Sequence, residues 1–179
     1  MNSELLERIT KCSAHTQNRV ENAVYIIQNT NLLPELISFS FKTENKLHIR
    51  ACYILDMVFE KQQDLAYPYI DFICNNLKLL KNDSAIRCVS RLIHFLVLDN
   101  NEKKYLSEIN IEKITTACFD WLISDIRVAP KAHAIYTLFE LGKNQTWIHS
   151  ELKQVLEHYT SSESVGYKSV ARKILKKIK

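Results

Sequence analysis

The chain has 179 residues, 46% apolar and 25% charged, with only two glycines and three prolines. That length suits one domain with a sizeable core, while so few glycines exclude Gly-rich phosphate loops, dinucleotide-binding turns and nucleophile elbows, and many-stranded folds. The formal net charge of +4 is local: Lys168, Arg172, Lys173, Lys176, Lys177 and Lys179 lie in a stretch without an acid, and the remainder carries −2, which excludes a chain-wide field for nucleic acid.

Helical periodicity recurs along the whole chain. Residues 3–13 and 16–29 form the first two predicted helices, the second on the stripe Val20, Val24 and Ile27. Pro34 opens a third over 32–42, and Thr43 is the expected N-cap before a fourth over 46–61. Ala66, Ile70, Ile73, Leu77 and Leu80 make the stripe of a fifth helix over 66–81, with Pro68 in its first turn. Asp83 is the expected cap of 84–98, whose stripe is Ile86, Val89, Ile93 and Leu96; a polar connection follows over 99–107. Asn110 is expected to cap 110–124, with Ile111, Ile114, Cys118 and Trp121 inside. Pro130 starts 129–141, and Gly142 suits a left-handed C-cap behind it. Ile148, Leu152, Val155 and Tyr159 line 147–159, and Ser162 or Ser164 is expected to cap 164–178. No stretch alternates as a strand would, so the fold class is all-α. No apolar run is long enough to span a membrane, and the N-terminus has no basic region leading into an apolar one.

Short connections make consecutive helices antiparallel neighbours. Five hairpins result, approximately 3–29, 32–61, 66–98, 110–141 and 147–178, read as a single domain over 1–179. Aligned on a basic residue in the second helix of each, they give Arg19, Arg50, Arg87, Lys131 and Lys168 at intervals of 31, 37, 44 and 37. The longest interval contains the polar connection. A hairpin of this kind buries its apolar face only against its neighbours, so the arrangement predicted is an α-solenoid. On this period and this basic column the chain resembles the HEAT-like (armadillo-type) repeat superfamily. The resemblance implies a right-handed α-α superhelix and a platform that binds proteins, or sometimes nucleic acids, along the concave surface lined by second helices.

The candidate binding residues are therefore the basic column, with Tyr53 and Tyr136 as anchors that project into the groove. The competing use of the same column is structural, with its side chains bonding neighbouring carbonyls and carboxylates. A Trp121–Asp125 pair, in the pattern Trp-x-x-x-Asp, is similar to a motif of the alkylpurine DNA glycosylases built on this scaffold. By that likeness Trp121 would stack on a damaged base and Asp125 would stabilise positive charge, although Trp121 also continues an apolar stripe. The serine-rich run over 161–168 is similar to the signature loop of the fumarase and adenylosuccinate lyase superfamily, without its Met-Pro and its later Asn, so it is read as a polar turn. Asp56/Glu60 and Glu108/Glu112 are carboxylate pairs on single helix sides. His94, in an apolar run, is expected to be a half-buried, hydrogen-bonded residue. The five cysteines make no Cys-x-x-Cys pair and the histidines no ligand cluster, so buried free thiols in the cytoplasm are expected, with no metal and no cofactor. The function expected is a non-catalytic interaction module for a protein segment; the alternative is a nucleic-acid-binding solenoid related to those glycosylases.

Overall fold

A computed structural model of the chain describes residues 2–160 and 163–178, and every regular element among them is helical. The chain divides into two compact units, Met1–Leu92 and Ile93–Lys179. The first holds α1 (Ser3–Lys11), α2 (Thr16–Gln28), α3 (Leu33–Ser40), α4 (His48–Lys61), α5 (Ile70–Asn76) and the start of α6 (Asp83–Lys103). The second holds the remainder of α6, then α7 (Glu108–Ile123), α8 (Val128–Gly142), α9 (Thr146–Tyr159) and α10 (Val165–Leu175). No described helix is long and apolar enough to cross a membrane.

Each unit is organised by one helix buried on several sides. In the first it is α4, which takes α2 and α3 against it and buries Ala51, Cys52, Ile54, Leu55, Met57, Val58 and Phe59. Burial on consecutive residues, rather than on one stripe, is what a helix enclosed by others shows. In the second unit α8 has the same place, packed by α7, α9 and α10 and burying Ala134, Ile135, Leu138 and Leu141. The flanking helices bury Leu5 and Ile9, Ile148, Leu152 and Leu156, and Tyr167, Ala171 and Ile174. Of the expected stripes, Val155 and Tyr159 on α9 are only half-buried, and on α2 Val24 is exposed and Val20 and Ile27 half-buried because Ala23 and Ile26 face the core instead.

The helix ends depart from expectation in ways that have local causes. Asn82, not Asp83, caps α6, its Oδ1 accepting from the Ser84 and Ala85 N–H groups at 2.9 and 3.4 Å. Ser107, not Asn110, caps α7, and Asn110 is a buried residue one turn inside. Thr43 does not cap α4; it lies in a series of tight turns, and Asn45 Oδ1 accepts from the Leu47 N–H instead. Ser164 caps α10 by accepting from the Tyr167 N–H, whereas Ser161 and Ser162 lie outside the described residues. The 66–81 stripe is buried as expected, but its backbone is α-helical only over Ile70–Asn76, with 3-10 segments at Gln63–Tyr69 and Leu77–Leu79. Pro68 has no N–H to donate and sits in the first of these.

Two further differences concern termination. Most of the polar 99–107 connection is the last turn of α6. Lys103 pairs with Asp99 at 3.0 Å, Asn100 Oδ1 accepts from the Leu106 N–H at 2.7 Å, and the Tyr105 hydroxyl donates to the Leu96 carbonyl. The helix ends at Lys104, whose φ of 56° is the left-handed turn. Gly142, in contrast, has no positive φ and is the last residue of α8. Its value is spatial: a Cβ there would lie 1.9 Å from His149 Cδ2. The His149 ring stacks on Phe139 at 5.2 Å between centroids, and its Nε2 lies 2.8 Å from the Phe139 carbonyl oxygen. Replacing Gly142 by Ala therefore sets a helix-propensity gain of about 1 kcal/mol against displacement of a bonded, stacked imidazole. Gly142→Ala is expected to destabilise by about 1–2 kcal/mol in urea unfolding. In a His149→Ala background the same change is expected to stabilise, which isolates the close approach as the cause.

Candidate functional site

In the first unit, the polar residues of α2, α4 and α6 meet at one buried carboxylate. Asp56 on α4 is 3% exposed and Arg19 on α2 is 6% exposed. Arg19 Nη2 donates to Asp56 Oδ2, its Nε donates to the Tyr53 carbonyl at 3.3 Å, and its guanidinium carbon stands 5.4 Å from the Tyr53 ring centroid. Arg91 on α6 donates from Nε to the other Asp56 oxygen at 2.8 Å and grips Glu60 with both terminal nitrogens, at 2.8 and 3.0 Å. The Arg91 hydrogen bonds hold the Glu60 carboxyl below its ordinary range against a smaller effect of burial. Beside this network is a cleft of about 400 Å³ whose lining includes Thr16, Lys61 and Arg87. The Cys88 thiol beneath it is pushed up to about 12 by burial first and by the Asp56 charge second, so it is a neutral thiol at physiological pH.

In the second unit the corresponding cation is Lys131, 5% exposed. Its Nζ pairs with Glu163 and stands 5.8 Å from the centroid of the buried Tyr167 ring. The other feature is α10, whose buried side is Tyr167, Ala171 and Ile174. Its outward side carries Val165, Ser169 and Arg172, flanked by Lys168 and Lys173, and Lys176 and Lys177 continue it just past the helix end. These long side chains fence a shallow surface depression of about 740 Å³. Val165, at the N-terminal end of α10, is 85% exposed. Lys173 stands 5.7 Å from the Tyr136 ring and Lys177 5.7 Å from the Phe139 ring, both rings belonging to α8 and half-buried.

The expected binding residues thus have different surroundings. Arg19 and Lys131 are buried and paired with carboxylates. Arg50 is exposed, but donates from Nη1 to the Thr10 carbonyl. Tyr53 is half-buried against Arg19, and Arg87 lines the same cleft as Arg19. Tyr136 and Lys168 belong to the α8–α10 region, Tyr136 under Lys173 and Lys168 on the rim. Within the first unit the structure brings Arg19 together with Tyr53 on one side and places it on the same cleft as Arg87; within the second it places Tyr136 and Lys168 about α10. Arg91 and Lys61 were not singled out by sequence. Asp56 and Glu60 stood out only as an i, i+4 pair, which identifies one helix side but not the guanidinium facing it.

Trp121 is 4% exposed in the core of the second unit. It is therefore closed to a nucleobase, and the glycosylase-like pairing with the exposed Asp125 loses its stacking partner. His94 is half-buried as expected, yet its Nδ1 has no protein group within hydrogen-bonding distance. It lies 5.8 Å from the Tyr136 ring, and burial lowers its pKa. All five cysteines are free and buried. Among the described residues no group of His, Cys, Asp and Glu is placed to hold a metal ion.

Removing Asp56 leaves Arg19 buried without its counter-charge, whereas removing the half-exposed Glu60 leaves Arg91 with Asp56 and solvent. Asp56→Ala is expected to cost about 3–5 kcal/mol in urea unfolding, and Glu60→Ala less than about 1 kcal/mol. Equal costs would mean that Asp56 is not the centre of the network. No protein-family model, no curated protein and no solved structure matches the chain.

Proposed function

We propose that this chain is a non-catalytic interaction module that binds an acidic segment of a partner protein through the outward side of α10. The observation that carries the reading is the exposed Val165 beside the cations of α10, in a stretch of sequence that contains no acid. Lysine stems cover apolar surface while their ammonium groups stay in water, so this face offers an apolar contact at one end of a row of charge. Protein interfaces likewise combine apolar contacts with polar ones. The half-buried Tyr136 beneath Lys173 extends the same surface. The negative balance of the rest of the chain favours a short acidic segment over a long polyanion, which would have to cross neutral or acidic surface.

The scaffold in this reading is HEAT-like, a series of helical hairpins in which second helices line the binding side. Supporting it, α2 packs on α4 in the first unit and α8 on α10 in the second, while α3 pairs with α4 and α7 with α8. Cations also bond carboxylates about one repeat away: Arg19 with Asp56, Arg91 with Glu60, and Lys131 with Glu163. Residues of the basic column that make such bonds hold hairpins together, which leaves recognition to Lys168 and its neighbours on α10. Five buried thiols suit a reducing compartment, and the cytoplasm is the proposed location.

The test is a fluorescence-anisotropy titration of the full chain with a labelled oligoglutamate peptide. Lys176→Glu/Lys177→Glu is expected to weaken binding by at least ~10-fold, and Lys153→Glu, on the exposed side of α9, to leave it unchanged. Equal losses from both variants would reduce the effect to net charge and sink the reading. The second reading, a nucleic-acid-binding module, is favoured by the aromatic rings under Lys173 and Lys177. Labelled DNA and RNA from about 50 to 200 mM salt decide it: binding tighter than the peptide's, with a steep salt slope, would replace the protein partner by nucleic acid.

A further inference from the structure

The cleft between α2, α4 and α6 in the first unit has a charge balance that its own residues do not close. Four cations surround it, Arg19, Lys61, Arg87 and Arg91, and two carboxylates, Asp56 and Glu60. The carboxylates are already engaged: Asp56 has one oxygen on Arg19 and the other on Arg91, and Glu60 has both oxygens on Arg91. Arg87 has no such counterpart. Among the described residues its guanidinium donates only to the Cys88 sulfur, at 3.8 Å, a weak acceptor for a group with five N–H donors. That sulfur belongs to a neutral thiol and does not cancel the charge. Lys61 likewise forms no ion pair among the described residues. The excess is two positive charges facing a cleft of about 400 Å³.

We propose that this cleft is a binding site for a phosphate group, with the Arg87 guanidinium as its principal ligand and Lys61 as the second cation. A phosphate monoester carries about −1.5 to −2 charges at pH 7, which matches the uncompensated charge. A guanidinium gives such a group two parallel N–H donors, and a lysine gives it a point charge. Thr16 supplies a hydroxyl at the edge of the cleft, on the first residue of a helix whose N-terminus no side chain caps. The bonds from Arg91 hold Glu60 in place, and Asp56 is buried behind the two arginines, so neither carboxylate is free to take Arg87. The site is independent of the α10 surface and of the partner proposed for it. A small phosphorylated metabolite and a phosphorylated side chain would present the same group.

The experiment is calorimetric titration of the full chain with inorganic phosphate and with pyrophosphate at constant ionic strength, sodium chloride being the reference. A phosphoserine peptide and its unphosphorylated form provide a second arm, which separates a side-chain source from a free one. Saturable binding is expected for at least one phosphate probe, weakened at least ~10-fold by Arg87→Gln, less by Arg87→Lys, and unaffected by Lys176→Glu/Lys177→Glu. Circular dichroism establishes that each variant is folded. Should Arg87→Gln fail to fold, Lys61→Gln and amide shift changes at Thr16 and Lys61 replace it, with a loss of affinity and local shifts expected. No saturable binding, equal heat from chloride, full binding by Arg87→Gln, or loss only in the α10 variant would each overturn the assignment.

Discussion

Asp56 takes a guanidinium on each of its carboxylate oxygens, Arg19 from α2 and Arg91 from α6. An unpaired charge in that position would cost several kcal/mol even after relaxation, so α2, α4 and α6 are bound to one relative placement in the first unit. The arrangement of charge in that unit follows from the same contact. Arg19 is withdrawn from solvent, Arg91 is shared with Glu60, and Arg87, one helical turn before Arg91 on α6, is left beside a neutral thiol. The surface potential of the cleft is therefore a remainder, set by which cations the buried carboxylate has consumed. Lys131 and Glu163 repeat the device in the second unit with a single pair. There the remainder lies on α10, where no carboxylate falls in the stretch that carries Lys168, Arg172, Lys173, Lys176 and Lys177.

The all-helical class and nearly every helix were legible in the sequence, because periodicity is local and apolar spacing of three and four residues has one structural meaning. The stripes from Ala66 to Leu80 and from Ile86 to Leu96 are buried throughout, whereas Val20, Val24 and Ile27 on α2, Ile111 on α7, and Val155 and Tyr159 on α9 are half-buried or exposed. Helix ends were less legible. Asn82, Ser107 and Asn45 act one to three residues from the expected caps, since several short polar side chains in a row compete and turn geometry selects one. Gly142 was noticed for a conformation it does not adopt; what matters there is the His149 ring, which arrives from the following helix.

The site was legible as residue types and not as partners. The basic column marked Arg19 and Lys131, but their carboxylates stand 37 and 32 residues away, beyond any local spacing rule. Both separations are close to the intervals of the basic column, which could have indicated them. Tyr53 and Tyr136 were chosen as groove anchors, and each is half-buried near a cation, Arg19 or Lys173. Trp121 shows how an apolar stripe and a functional motif can share a residue: its burial decides for the stripe.

In the proposed function, recognition belongs to the outward side of α10 and most of the basic column is structural. Amide chemical-shift mapping of the isotopically labelled full chain during an oligoglutamate titration tests it most directly. Shift changes concentrated on Val165, Ser169, Arg172 and Lys176, with Tyr136 among the α8 responders, are the predicted result. Changes centred on Arg19, Arg50 and Lys131, with α10 silent, would contradict the claim and return recognition to the basic column.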